Sequence, residues 1–228
     1  EISLGLVGSE MCIRDSTRYN LDFTTDVEDM LDHGFPAVSM EPVVGEDTES
    51  YSIKEEDLPR VKEEYDRLAQ LFIRREEEGR PFFFFHFNMD LWKGPCLPKR
   101  LRGCGAGHEY LAVVPNGDIY PCHQFVGREG YVLGNVYEGL KNMKMMHDFR
   151  TNHVFTKPEC VDCWAKFFCS GGCHANNEAF AGDIHKPYHI TCEIQKKRVE
   201  CAMMIQAYNQ LKKPRVMAQP GSFEAKRE

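Results

Sequence analysis

With 228 residues, 42% hydrophobic and 28% charged, the chain is long enough for one good core or two modest domains, and wholesale disorder is excluded. Its net charge of -7 argues against a nucleic-acid partner, which needs basic surface to replace phosphate counterions, and no apolar run is long enough to span a bilayer. Ten cysteines without a secretory leader pattern point to metal binding or catalysis in a reducing cytoplasm, not to an oxidised secreted scaffold.

Residues 1–16 are expected to lie outside the fold. Leu6 to Ser16 resembles one reading frame of a transposase adapter used in sequencing libraries, which implies a gene truncated upstream; the alternative is a disordered N-terminus, and in either case Cys12 carries no site. From Asn20 to Asn88 strand and helix patterns alternate. Asn20 to Phe23 is a short apolar-polar run, Thr24-Thr25 offer caps for a helix over Asp26 to His33, and Gly34 closes it. Phe35 to Val44 reads as a buried strand with Pro42 near its exit. The next helix has Asp57 as cap, Pro59 in its first turn, Val61, Tyr65, Leu68 and Phe72 on one face, and Gly79 as its stop. Phe82 to Phe87 reads as a strand apolar on both faces. Residues 17–93 are therefore expected to be β-α-β-α-β, part of an α/β layer or barrel too small to close by itself, with Glu41 and His86 near strand ends where such barrels place sites.

Near Gly94 cysteines and glycines rise, and Gly94-Pro95-Cys96 opens a second region, 94–212. Tyr110 to Val114, Pro115-Asn116-Gly117 and Asp118 to Cys122 read as a β-hairpin. A helix follows around Leu140 to Arg150, another runs from Cys192 through about Leu211, and residues 213–228 form a loose tail. Between these helices lies Cys160-x2-Cys163-x5-Cys169-x3-Cys173, with Cys104, Cys122 and Cys192 on either side. Thiolate is a soft ligand that suits zinc or iron-sulfur clusters. Seven thiols suit one zinc site with three over, or most of two clusters. A non-catalytic zinc module with four-cysteine sites is therefore the alternative reading.

The spacing Cys104-x12-Gly117-x4-Cys122, then Cys160-x2-Cys163-x5-Cys169-x3-Cys173, then Cys192, resembles the seven-cysteine SPASM pattern of radical S-adenosylmethionine (SAM) peptide maturases. The wording around Met40 to Asp47, Phe85-His86-Phe87, Gly103 to Gly107 and Tyr120 to Gly127 is similar to the maturases of SCIFF peptides, which form thioether cross-links from cysteine sulfur to an α-carbon. The resemblance implies an α/β fold, the C-terminal part of a (β/α) radical SAM barrel followed by a cysteine-rich α+β SPASM domain with two auxiliary 4Fe-4S clusters. It implies Cys104, Cys122 and Cys173 for the first cluster, with Cys96 as a fourth ligand or an open iron in its place, and Cys160, Cys163, Cys169 and Cys192 for the second. A cysteine-rich precursor peptide and an external electron donor or acceptor are the implied partners. His108, His123 and His174 stand near cysteines as candidates to hydrogen-bond cluster sulfurs. Cys201 is expected to be a buried helix residue. The C-x-x-x-C-x-x-C that binds the third cluster and SAM in such enzymes occurs nowhere in the 228 residues, because the one candidate start, Cys169-x3-Cys173, continues to Asn176. This chain alone is therefore expected not to cleave SAM.

Overall fold

The computed structural model describes residues 11–43, 48–91 and 96–212. Residues 1–10, Gly94-Pro95 and the tail from residue 213 lie outside the described residues.

The first half is α/β. Strands β1 (Met11–Ser16), β2 (Ala37–Pro42) and β3 (Phe83–Phe84) form a parallel sheet in that order, joined through helices α1 (Phe23–Asp32) and α2 (Leu58–Glu77). The β-α-β-α-β order stands, but its first strand is not Asn20–Phe23. That role falls to Met11–Ser16, part of the segment expected to lie outside the fold. β2 buries Val38, Ser39 and Met40 and has backbone groups to satisfy on both edges, so a strand on the side away from β3 completes its hydrogen bonding. Helix α1 already begins at Phe23, which with Val27 is buried in the core. Thr24 does not cap it: its hydroxyl donates to the Glu64 carbonyl (3.1 Å) and its N–H to Glu64 Oε2 (3.3 Å), tying α1 to α2.

Helix α2 starts where Asp57 accepts the Lys54 N–H at 2.8 Å and Pro59 occupies the first turn. It buries Val61, Tyr65, Leu68, Ala69 and Leu71. Phe82 to Phe87 departs from a full strand: after Phe84 the chain tightens into a 3-10 turn, Phe85–Phe87. The turn is needed to bring both His86 and Phe87 inside. Phe83 and Phe85 remain 40% and 56% exposed, so this segment is covered on one face only.

The second half begins with α3 (Leu97–Arg102). Strands β4 (Ala112–Val113), β5 (Asp118–Tyr120), β6 (Gly134–Asn135) and β7 (Gly139–Leu140) form an antiparallel sheet in chain order. The hairpin falls where Asn-Gly requires it, with Gly117 at φ 90. Helices α4 (Met143–Thr151), α5 (Pro158–Val161), α6 (Lys166–Cys169), α7 (His174–Ala181) and α8 (His189–Lys212) complete the chain. A second core gathers Ala106, Tyr120, Phe125, Phe149 and Ile184. Helix α8 returns to the first half, where Ile190, Ile194, Cys201 and Ile205 join the α2 core, and Lys62–Glu193 (2.6 Å) and Lys197–Asp66 (2.7 Å) pair across the two helices.

Candidate metal centre

Four thiols surround one cavity of about 400 Å³: Cys160 on α5, Cys163 just beyond it, Cys169 closing α6 and Cys192 in the first turn of α8. Burial pushes the Cys192 thiol up to about 12, and the neighbouring Cys169 and Cys160 add to the shift. Cys160 and Cys169 are raised by burial as well. Crowded, desolvated thiols of this kind do not ionise unaided; a cation or metal group must compensate their charge.

A second cavity, about 310 Å³, is bordered by Cys104, Cys122, Cys173 and Cys169, the last of which also lines the first cavity. Cys104 precedes the hairpin, Cys122 follows β5, and Cys173 caps α7. Burial raises Cys122 and Cys173, and each is raised further by the other thiols of this set. Tyr110, whose hydroxyl bonds to Cys104, is pushed up by burial and by the same three sulfurs. Cys96 stands exposed at the N-terminus of α3. His174 is buried, with Nδ1 4.0 Å from Cys104 Sγ and its ring against Phe149. His123 borders the second cavity from an exposed position. His108 points elsewhere, its Nδ1 donating to the Ala106 carbonyl at 3.1 Å while Nε2 borders a separate cavity.

The backbone around three of these sulfurs turns tightly, which shapes the cavities they border. The Gly172 N–H donates to the Cys169 carbonyl (3.4 Å) and the Phe125 N–H to the Cys122 carbonyl (3.1 Å), while backbone N–H groups beside Cys169, Cys173 and Cys122 offset part of the upward shift that burial gives each thiol. The turn that follows Cys169 runs through three successive left-handed residues, Ser170, Gly171 and Gly172. Lys157 is a site residue that spacing could not reveal. It is 1% exposed, donates to the Gly171 carbonyl at 2.7 Å, and lies within electrostatic reach of Cys160, Cys169, Cys192 and Cys173, so burial lowers its pKa while the thiols oppose that shift. A lone lysine before Pro158 gives no sign of such a position. Among the described residues, no three His, Cys, Asp or Glu side chains converge on a single-ion position; the sulfurs ring cavities instead.

Between the two halves a cavity of about 450 Å³ is bordered by Glu41 and Arg198 on one side and by Gln124, Cys173 and Asn176 on the other. Glu41 and His86, placed by sequence near strand ends, meet here. His86 Nε2 lies 2.9 Å from Glu41 Oε1 and Nδ1 3.0 Å from the Tyr65 hydroxyl; Arg198 donates to Tyr65 (2.9 Å) and to Glu41 (3.4 Å). Burial opposes the Glu41 charge, but His86 and Arg198 outweigh it and hold the carboxyl at about 2. Burial, reinforced by Arg198, lowers His86 to about 4, so the ring is neutral at pH 7.

Residues 104–164 match the SPASM family, an iron-sulfur cluster-binding domain. The SPASM match takes in Cys104, Cys122, Cys160 and Cys163, and stops short of Cys169, Cys173 and Cys192. Among curated proteins nothing matches significantly. Among solved structures the fold is similar to native anSMEcpe with bound AdoMet, at TM-score 0.64 and 18% identity over 89% of this chain and 57% of that one. The hexahistidine-tagged form with bound AdoMet gives 0.63 and 18% over 88% and 54%, and the native form with AdoMet and the Cp18Cys peptide 0.61 and 18% over 89% and 58%. The chain spans a little over half the length of those proteins, and at this identity the likeness establishes the fold.

Proposed function

We propose that this chain is part of a radical SAM peptide maturase, and that it contributes the region holding two auxiliary 4Fe-4S clusters. The observation that carries the reading is that seven thiols, spread over 89 positions from Cys104 to Cys192, gather around two cavities, with Cys169 lining both. A zinc ion would draw four sulfurs to about 2.3 Å from one point. Sulfurs ringing a wider space suit a polynuclear group.

In this reading Cys160, Cys163, Cys169 and Cys192 hold the second cluster. Cys104, Cys122 and Cys173 hold the first, its fourth corner taken by Cys96 or by a substrate thiolate. Clusters bound there supply one-electron transfer and a soft iron able to hold sulfur. The chain's own part is ligation, a fixed positive charge from Lys157, and the cavity between the two halves, where Glu41, Arg198, Gln124 and Asn176 offer charge and amides to a peptide segment beside Cys173. A cysteine-rich precursor peptide is the substrate and sulfur-to-α-carbon thioethers the product, as in the SCIFF maturases; SAM and the third cluster belong to the longer enzyme, with an external electron partner in the cytoplasm. The structural likeness to proteins holding AdoMet, and in one case a peptide, supports a peptide-modifying enzyme of this class.

Iron, acid-labile sulfide and zinc per chain after anaerobic reconstitution test the cluster reading. About eight irons with matching sulfide are expected for two cubanes; a colourless protein with about one or two zincs would overturn it in favour of a structural zinc module. Incubation of the longer enzyme with SAM and a cysteine-rich peptide tests the reaction, tandem mass spectrometry reading a sulfur-to-α-carbon link.

A further inference from the structure

Helix α4 presents Met143, Met146, His147 and Arg150 at spacings of three, one and three, one helical face, and this face borders a cavity of about 520 Å³ distinct from the thiol cavities. Arg102, His108 and Glu109 form the opposite wall. Arg102 is anchored by a 3.1 Å bond to the Arg150 carbonyl, and its only acidic neighbour among the described residues is Glu109 at 3.8 Å. Arg150 is exposed and has no acidic partner among the described residues. Two arginines against one glutamate leave this cavity positive in a chain whose net charge is -7.

His108 marks the cavity as a built site. Its side chain is 9% exposed, and because a carbonyl can only accept, the bond to Ala106 assigns a proton to Nδ1. Nε2 is buried without a hydrogen-bond partner; Glu109 Oε1, at 3.5 Å, does not supply one. Burying such an atom costs free energy unless a ligand completes it.

We propose that this cavity binds an oxyanion, a carboxylate on an apolar stem, between the guanidinium groups of Arg102 and Arg150, with one proton taken up from water on binding to bridge His108 Nε2 and a carboxylate oxygen, and with Met143 and Met146 against the stem. Guanidinium groups favour planar oxyanions, and the thioethers add an apolar floor that free phosphate would not need. None of the seven thiols lines this cavity.

Calorimetric titration of the full chain at low salt tests this with three probes: acetyl-Leu-Glu-Leu-amide, its Gln analogue and inorganic phosphate. The Glu peptide is expected to bind, the Gln analogue about tenfold or more weakly, and Arg150→Gln to weaken the Glu peptide about tenfold, as for loss of one charge-assisted contact. His108→Phe is expected to melt at or above the wild-type temperature yet lose binding, a combination that a structural role for His108 would not produce. Phosphate binding without peptide binding would overturn the carboxylate assignment. Equal binding of the Glu and Gln peptides, no effect of Arg150→Gln, or no binding of any probe would overturn the proposal. Arg150 is on the surface, so its variant remains informative if His108→Phe misfolds.

Discussion

Gly171 sits at φ 85, and a Cβ there would lie 3.2 Å from Lys157 Nζ. Gly171→Ala is therefore expected to destabilise the protein by about 1–3 kcal/mol, from left-handed strain and a displaced lysine, measured by denaturant unfolding at fixed metal content. Lys157 makes a second expectation at this scale. Replacing its charge by Lys157→Met removes a cation near four of the thiols, so the reduction potentials of bound clusters should become more negative in a titration followed by electron paramagnetic resonance. Thiol positions were legible as ligand candidates because soft chemistry and close spacing are local. Lys157 was not, because its burial is created by chain that arrives fourteen residues later at Gly171. His108 was read with the thiols because it stands four residues from Cys104, yet its bond to Ala106 turns the free nitrogen toward α4.

At the scale of elements, α8 is held to the α/β layer by Arg198, which reaches Tyr65 on α2 and Glu41 on β2. Arg198→Met leaves the Tyr65 hydroxyl and the Glu41 carboxylate short of a donor. A loss of about 2–3 kcal/mol is expected, moderated because half-exposed Glu41 can turn to water; the check is the denaturation midpoint. The same network sets a pH response. His86, with a folded pKa of about 4 against the ordinary 6.5, takes up a proton in the unfolded chain first, so stability should fall as pH drops from 6.5 toward 4. Glu41, held at about 2 against 4.5, acts in the same direction: its contribution is complete above 4.5 and is lost as pH falls toward 2. Thermal melts from pH 7 to 4 should show a steady decline that Arg198→Met alters. Helix α2 was readable from its periodic face, whereas Phe82 to Phe87 misled, since a run of apolar residues does not reveal that His86 must turn inward to meet Tyr65 and Glu41.

At the scale of the whole molecule, the two thiol sets should be separable. Cys122→Ala and Cys192→Ala are each expected to lower reconstituted iron by about half, about four of eight irons, with different halves of the visible and magnetic spectra lost. Cys96→Ala, at an exposed position, separates the two readings of the first cluster's fourth corner: an unchanged iron count is expected for a substrate thiolate there, and a loss of about four irons for Cys96 as the ligand. Equal partial losses for every single substitution would instead mean that the seven thiols serve one shared group.

Sequence by itself determined what is written in short windows: the strand at β2, the Asn-Gly hairpin, helix α2 with its buried face, and a thiol pattern part of which matches an iron-sulfur domain. Tertiary structure decided which distant groups meet. Cys192 joins Cys169 because α8 begins beside α6, Cys104 comes to Cys173 because α3, which ends just before it, packs against α6, and Glu41, Tyr65, His86 and Arg198 form one network from four separate elements. The physical reason is range. Hydrogen-bonding turns and side-chain periodicity act over a few residues and leave their mark in the sequence, while burial, charge compensation and cavity shape arise only when separate elements pack.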